Sequence, residues 1–215
     1  MSAGPAEFPP VDIPSLLVLL HGYDDDPARL ERAIRPLPGA AGLPRLVPVG
    51  PVRTPAGHAW FGDGAPGGRA SSPPLGQTLD GLVDHIHSGC AAADADPAAV
   101  VVVGYSQGAA TALALALRRG ATWRPAAVAA IAPWLPQEPD VELTFAELAG
   151  VTSVLLVHGD DDDVVPILQG RSVRRVLERH GVDVTWVEHP GGHRLEEPAV
   201  LAALDRWLTG FRAGG

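Results

Sequence analysis

A chain of 215 residues, 46% of them hydrophobic and 19% charged, has the length and apolar content for one globular domain with a two-sided core, which excludes a disordered chain. Its formal net charge of −9 argues against a nucleic-acid partner and against electrostatic docking on anionic lipid. The single cysteine, Cys90, excludes an intramolecular disulfide and a cysteine-built metal cluster, and among its Ala and Gly neighbours it reads as a small packing residue rather than a nucleophile.

Residues 1–12 are Pro-rich and read as a loose N-terminal segment, leaving 13–215 as a single domain. The apolar run from Ile13 to Leu20 has no basic region before it and is too short to span a bilayer, so it is read as the first core strand. A cytoplasmic protein without stable membrane insertion is the resulting expectation. Asp26 and Pro27 have the character of an N-cap and a first helical residue, and the helix they open should stop at Pro36. Leu46 to Val49 is predicted as a short strand, at an edge or bulge because of Pro48. Residues 51–75 form a long Gly- and Pro-rich loop that nevertheless carries Trp60 and Phe61, and two adjacent aromatics argue for a functional loop.

From Gly76 onward, Leu79, Leu82, Val83 and Ile86 fall on one face of an amphipathic helix. Val100 to Val103 is a buried strand, and Ala109 to Leu115 continues as a helix that should close at Arg118-Arg119-Gly120. Ala126 to Ile131 and Val151 to Val157 are two more buried strands, separated by Pro133-Trp134-Leu135-Pro136 and a mixed segment with a helical turn near Phe145. Pro166 opens a helix with Val173, Val176, Leu177 and His180 on one face, closed by Gly181. Val182 to Val187 is the last strand, and a final helix carries Val200, Leu201, Leu204 and Leu208 before Gly210. About six strands, mostly alternating with helices and mostly apolar on both faces, predict an α/β fold with a doubly wound, mostly parallel sheet and no large cap.

In such sheets, sites form outside the carboxyl ends of the strands. Gly104-Tyr105-Ser106-Gln107-Gly108 lies between a strand and a helix, the context in which Gly-x-Ser-x-Gly is a nucleophile elbow. Ser106 needs a general base. His193, after the flexible Gly191-Gly192, is the candidate, and His189 is its rival nearer the strand end. The acid is one of Asp160 to Asp163, four adjacent carboxylates of which most should be solvated or capping. Together with Asp24 to Asp26 they also suggest a divalent-cation site, but EF-hand spacing is absent and a serine elbow needs no metal. The order Ser, Asp, His is the one expected for α/β hydrolases. Two backbone amides should form an oxyanion hole, those of Gln107 and of Tyr23 in the loop after the first strand, with His21 a structural strand-end residue.

These motifs resemble the phospholipase/carboxylesterase family of serine hydrolases, which includes bacterial carboxylesterases and acyl-protein thioesterases. Leu20-His21-Gly22-Tyr23 is similar to the family's Leu-His-Gly-x oxyanion loop, and Ala59-Trp60-Phe61 to its substrate loop. The elbow, with Gln directly after Ser106, is similar to Gly-Phe/Tyr-Ser-Gln-Gly, and Pro133-Trp134-Leu135-Pro136 to Ser-Gly-Trp/Tyr-Leu-Pro with Ala132-Pro133 in place of Ser-Gly. His158 to Pro166 is similar to His-Gly-x-x-Asp-x-x-Val-Pro, a register that selects Asp162 as the acid, and Gly191-Gly192-His193 to Gly-Gly/Met-His. The run Tyr23 to Asp26 and the loop from Arg53 to Leu75 depart from the family pattern. The resemblance implies an α/β-hydrolase fold, a triad of Ser106, Asp162 and His193, and hydrolysis of a small-molecule acyl ester or thioester without metal or cofactor. It also implies an acyl site lined by Trp60, Phe61, Trp134 and Val165. Acyl transfer or peptide cleavage on the same triad, and a hydrolase-like fold used only for binding, are the rival readings; homodimerisation stays open.

Overall fold

The computed structural model describes residues 14–62, 72–145 and 153–213. The predicted loose segment 1–12 lies outside the described residues, as does the part of the long loop at 63–71. The first part of the chain holds β1 (Leu16–Leu20), α1 (Pro27–Ile34), β2 (Arg45–Leu46), β3 (Val52–Arg53) and β4 (His58–Ala59). The middle holds α2 (Leu75–Ala93), β5 (Val100–Tyr105), α3 (Gln107–Leu117) and β6 (Ala127–Ile131). β7 (Ser153–Gly159), α4 (Ile167–Arg179), β8 (Val184–His189) and α5 (Pro198–Ala213) complete the fold.

Six strands form one sheet in the order β2-β1-β5-β6-β7-β8, with every neighbouring pair parallel, and β3 and β4 form a separate antiparallel pair. Successive side chains of a strand point to opposite faces. Accordingly Leu16, Val18, Leu20, Val100 and Val102 join the core under α2, α3 and α4, while Leu17, Leu19, Val101 and Val103 join the core under α1 and α5. Covering both faces is why these strands are continuously apolar, and each side chain so buried contributes about 1.5–3 kcal/mol relative to exposure. α2 buries Leu79, Leu82, Ile86 and also Cys90, so the cysteine is a core residue whose thiol burial pushes up in pKa.

Several elements differ from expectation for physical reasons. The strand predicted at 46–49 is only Arg45–Leu46, because Pro48 has no N–H to offer the ladder. α3 ends at Leu117; Arg118 is already extended, and Gly120, at φ 66°, serves the following turn instead of closing the helix. His180 points to solvent and stacks on Phe145, with ring centroids 5.0 Å apart, while Val173 and Leu177 carry the buried stripe of α4. Phe145 lies in a bend, and the rest of the helical turn expected there falls outside the described residues, as does the start of the strand expected from Val151. α5 runs straight through Gly210 to Ala213.

The parallel arrangement puts the carboxyl ends of all six strands on one edge. Leu20 pairs with Gly104, Tyr105 with Ile131 and Gly159 with His189. The loops after β1, β5, β7 and β8 therefore meet there. Among the described residues no helix is long and apolar enough to cross a membrane.

Candidate active site

Ser106 sits between the last residue of β5 and the first of α3, with φ 54° and ψ −119°. A positive φ at a residue with a Cβ costs about 1–3 kcal/mol and persists only where the surroundings dictate it. Here the Ser106 N–H donates to the Ile131 carbonyl at 2.8 Å, anchoring the turn to β6. A Cβ at Gly104 would collide with the backbone of Gly108, and one at Gly108 with the Leu20 carbonyl. The two glycines are thus the steric condition for folding strand onto helix at this angle.

The loop after β8 carries His193 over this turn. Ser106 Oγ lies 2.8 Å from His193 Nε2, and His193 Nδ1 lies 2.8 Å from Asp162 Oδ2. The second contact fixes the tautomer: a carboxylate only accepts, so Nδ1 carries the proton and Nε2 is free to accept from the serine hydroxyl. The Asp162 side chain is fully buried, and its other oxygen accepts the Val164 and Val165 N–H groups at 3.0 and 2.7 Å. A charge removed from water survives only with such partners. His158 approaches the same carboxylate at 3.5 Å, but its Nε2–H donates to the Val165 carbonyl at 2.7 Å. Burial holds its imidazole below the ordinary range, so this contact is not an ion pair. His189 is buried at the end of β8 and makes no bond to Ser106.

The His193 loop is tied down as well. Tyr105 donates its hydroxyl to the His193 carbonyl at 2.9 Å, and its pKa is pushed up to about 12 by burial, so the donor stays protonated. Arg29 lies over the Tyr105 ring at 5.5 Å and grips both carboxylate oxygens of Glu196 at 2.7 and 2.6 Å.

The Gln107 N–H, at the first position of α3, has no intrahelical acceptor. The Tyr23 N–H has no protein acceptor among the described residues. Both residues line a groove of about 570 Å³ together with Ser106, Phe61, Trp134 and Val165. Glu138 faces the same groove, its carboxyl raised in pKa by burial first and by Asp140 second.

Trp60, expected on the acyl wall, is placed elsewhere: it is 1% exposed and lines a separate cavity with Val47, Pro48 and Thr78. Its backbone N–H donates to Gln107 Oε1 at 2.8 Å, its indole N–H to the His21 carbonyl at 2.8 Å, and its carbonyl accepts from Thr78 at 3.0 Å. Gln107 also donates Nε2–H to the Phe61 carbonyl at 3.0 Å. The glutamine side chain thus clamps the loop whose next residue, Phe61, faces the groove. Sequence reasoning gave Gln107 a backbone role and missed this clamp, along with the Tyr105 and Arg29 supports. An amide side chain at a helix start with no surface to face was the available signal.

Among the described residues no group of His, Cys, Asp and Glu is arranged to hold a metal ion. The carboxylates of Asp24, Asp26, Asp160 and Asp162 instead accept backbone N–H groups.

The chain is similar to several known proteins. The family model described as Phospholipase/Carboxylesterase matches residues 11–208. An acyl-protein thioesterase 1 of Gibberella zeae is 28% identical over 52% of this chain and 48% of its own length, so the chain spans about half of that relative. Carboxylesterase SOBER1 of Arabidopsis thaliana is 26% identical over 90% of this chain and 89% of its own. The crystal structure of the Bacillus cereus carboxylesterase superposes with a TM-score of 0.75 at 22% identity, covering 94% of this chain and 91% of that one, and shares the α/β-hydrolase fold. On its sheet order and a family match over nearly its whole length, the chain belongs to the phospholipase/carboxylesterase family.

Proposed function

We propose that the protein is a serine hydrolase that cleaves carboxylic esters or thioesters through a covalent acyl-enzyme. The observation that carries this reading is the continuous contact from Asp162 Oδ2 through the His193 ring to Ser106 Oγ, 2.8 Å at each step, beside an open groove. Ser106 Oγ attacks the substrate carbonyl carbon as its proton passes to His193 Nε2. Asp162 keeps Nδ1–H aligned and stabilises the imidazolium. The carbonyl π electrons move onto oxygen, and the Tyr23 and Gln107 N–H groups receive the oxyanion. When the tetrahedral adduct collapses, the alcohol or thiol leaves with the proton from Nε2. A water then repeats the cycle on the acyl-enzyme, and the carboxylic acid departs.

Phe61, Trp134 and Val165 supply the apolar wall for the acyl chain. A groove of about 570 Å³ without a large cap among the described residues suits short to medium acyl chains. The names of the curated relatives cover an oxygen and a sulfur leaving group, and the proposal includes both.

The test is Ser106→Ala, assayed with p-nitrophenyl butyrate and with a fluorophosphonate probe. Hydrolysis should fall to background and labelling should vanish, with the circular dichroism unchanged. A variant that keeps the wild-type rate overturns the reading, and a wild-type protein that does not label points to a binding role. Competing alcohols and amines in the same assay separate hydrolysis from acyl transfer, and esters and thioesters of graded chain length rank the substrates.

A further inference from the structure

We propose that His21 is the positioning residue of the oxyanion hole, holding the Gly22–Tyr23 peptide so that its N–H faces the groove. This rests on the reading of Tyr23 N–H as an oxyanion donor. It assigns to a buried side chain outside the triad a part in setting the rate.

His21 follows the last residue of β1 and is fully buried. The backbone N–H of Gly50 donates to its Nε2 at 3.0 Å, which leaves Nε2 without a hydrogen. The ring proton is therefore on Nδ1, and it is donated to the Gly22 carbonyl at 2.7 Å. That carbonyl and the Tyr23 N–H are the two ends of one peptide unit. In a planar trans peptide they point in opposite directions. Drawing the oxygen toward the imidazole aims the hydrogen away from it, on the side where Tyr23, Ser106 and Gln107 share the groove. If the peptide turned over, a carbonyl lone pair would face the developing anion in place of a donor.

The ring itself cannot drift. Trp60 packs against it with centroids 4.8 Å apart, and the Trp60 indole N–H holds the preceding peptide by the His21 carbonyl at 2.8 Å. A Cβ at Gly22 would press on the Tyr105 ring, so the loop also lies flat against the elbow. Two successive peptide units, His21–Gly22 and Gly22–Tyr23, are thus fixed by the same pair of aromatic side chains. Burial keeps the imidazole below its ordinary pKa, consistent with a ring that must keep a bare Nε2.

Two substitutions separate the two ring nitrogens. In His21→Asn the side-chain amide takes the place of Nδ1 and can still donate to the Gly22 carbonyl, but Gly50 loses its acceptor. In His21→Gln the terminal oxygen reaches the place of Nε2 and keeps Gly50, but the donor to Gly22 is lost. Removing an oxyanion donor outright costs roughly 100- to 1,000-fold, so freeing one should cost about 10- to 100-fold in kcat for p-nitrophenyl butyrate in His21→Gln, with KM nearly unchanged. The inhibition constant of a trifluoromethyl ketone, whose hemiketal carries the oxyanion, should weaken by the same factor. His21→Asn should retain most of kcat although its melting temperature falls as far. If both variants lose kcat in step with melting temperature, or if the loss appears in KM, His21 only packs the loop. Should neither variant fold, nitrogen NMR of the wild-type histidines decides: His21 protonated on Nδ1 supports the proposal, and protonated on Nε2 overturns it. A wild-type protein that neither labels with fluorophosphonate nor hydrolyses the ester instead removes the hydrolase reading beneath it, a result separate from any difference between the variants.

Discussion

Two segments of this chain are nearly the same in letters and opposite in use. After β1 comes His21-Gly22-Tyr23-Asp24-Asp25-Asp26; β7 ends in His158-Gly159 and the chain goes on through Asp160-Asp161-Asp162-Asp163. In the first, each carboxylate is spent on local structure. Asp24 adopts a left-handed φ of 54° and accepts the Ala56 N–H at 2.8 Å, fastening the loop to the β3–β4 pair. Asp25 accepts the Asp26 N–H and pairs with Arg29, and Asp26 caps α1 through the Ala28 N–H and pairs with Arg32. In the second, one carboxylate is withdrawn from water altogether. Asp162 is fully buried, holds two amides and faces the only imidazole that contacts Ser106 among the described residues. Composition does not distinguish a fastening from the proposed triad acid. The distinction lies in whether a carboxylate is desolvated and held in place by backbone donors.

The largest expected effect comes from breaking that distinction. Asp162→Asn keeps the shape but destroys the preference for Nδ1–H, and kcat should fall by about 10,000-fold, as triad acids generally do. Asp160→Asn keeps an amide oxygen to accept the Gly191 N–H, 3.2 Å away in the wild type, and gives up only an exposed charge, so it should retain kcat within about threefold. Steady-state kinetics of the pair on one ester checks this, and the reverse order would move the acid to Asp160.

A second prediction concerns what the segments share, a buried neutral histidine at the strand end. His21 and His158 are both held below the ordinary imidazole value of 6.5, chiefly by burial. Above that value both states are neutral and the stability is fully present. Below it the unfolded chain takes up protons that the folded chain resists, so stability falls with pH toward the lowered folded values. Each unit of depression removes about 1.4 kcal/mol once that range has been crossed. Melting temperature should drop from pH 7 to pH 5, and His158→Asn should start lower at pH 7 yet show a shallower slope. An unchanged slope in that variant would mean that burial of His158 does not set the acid limit.

How much of this was legible in the sequence depends on the range of the forces involved. The elbow was legible because its demands are local: a run of valines, two glycines placed around a serine, and a helix of Ala and Leu. The parallel sheet followed from the two-sided burial of its strands, and the site's elements followed from their ending on one edge. Trp60 was misplaced because its position is decided by acceptors supplied from far along the chain, the Gln107 side chain and the His21 carbonyl. The helix continues through Gly210 because the stripe that packs it does not stop there: Trp207 and Phe211 contact across that turn, centroids 4.8 Å apart. Glycine ends a helix only where a turn needs its positive φ, as Gly181 does after α4 at φ 77°.

The smallest predicted effect sharpens the claim that the first acidic run is structural. Asp26 is about half exposed, so its pairing with Arg32 is screened and contributes little. Its side-chain bond to the Ala28 N–H satisfies one of the amides that the first turn of α1 leaves open, and losing such a cap costs about 1 kcal/mol. Asp26→Ala should therefore lower the melting temperature by roughly 2–4 °C in a domain of this size. Asp26→Asn keeps a good cap and gives up only the charge, and it should melt within about 1 °C of the wild type, since Asn and Asp rank together at this position. Neither should change kcat, because α1 reaches the site through Arg29 rather than through its cap. If Asp26→Asn melts as low as Asp26→Ala, the ion pair and not the cap fastens this loop. The first run would then depend on its charge in the way that the second depends on Asp162.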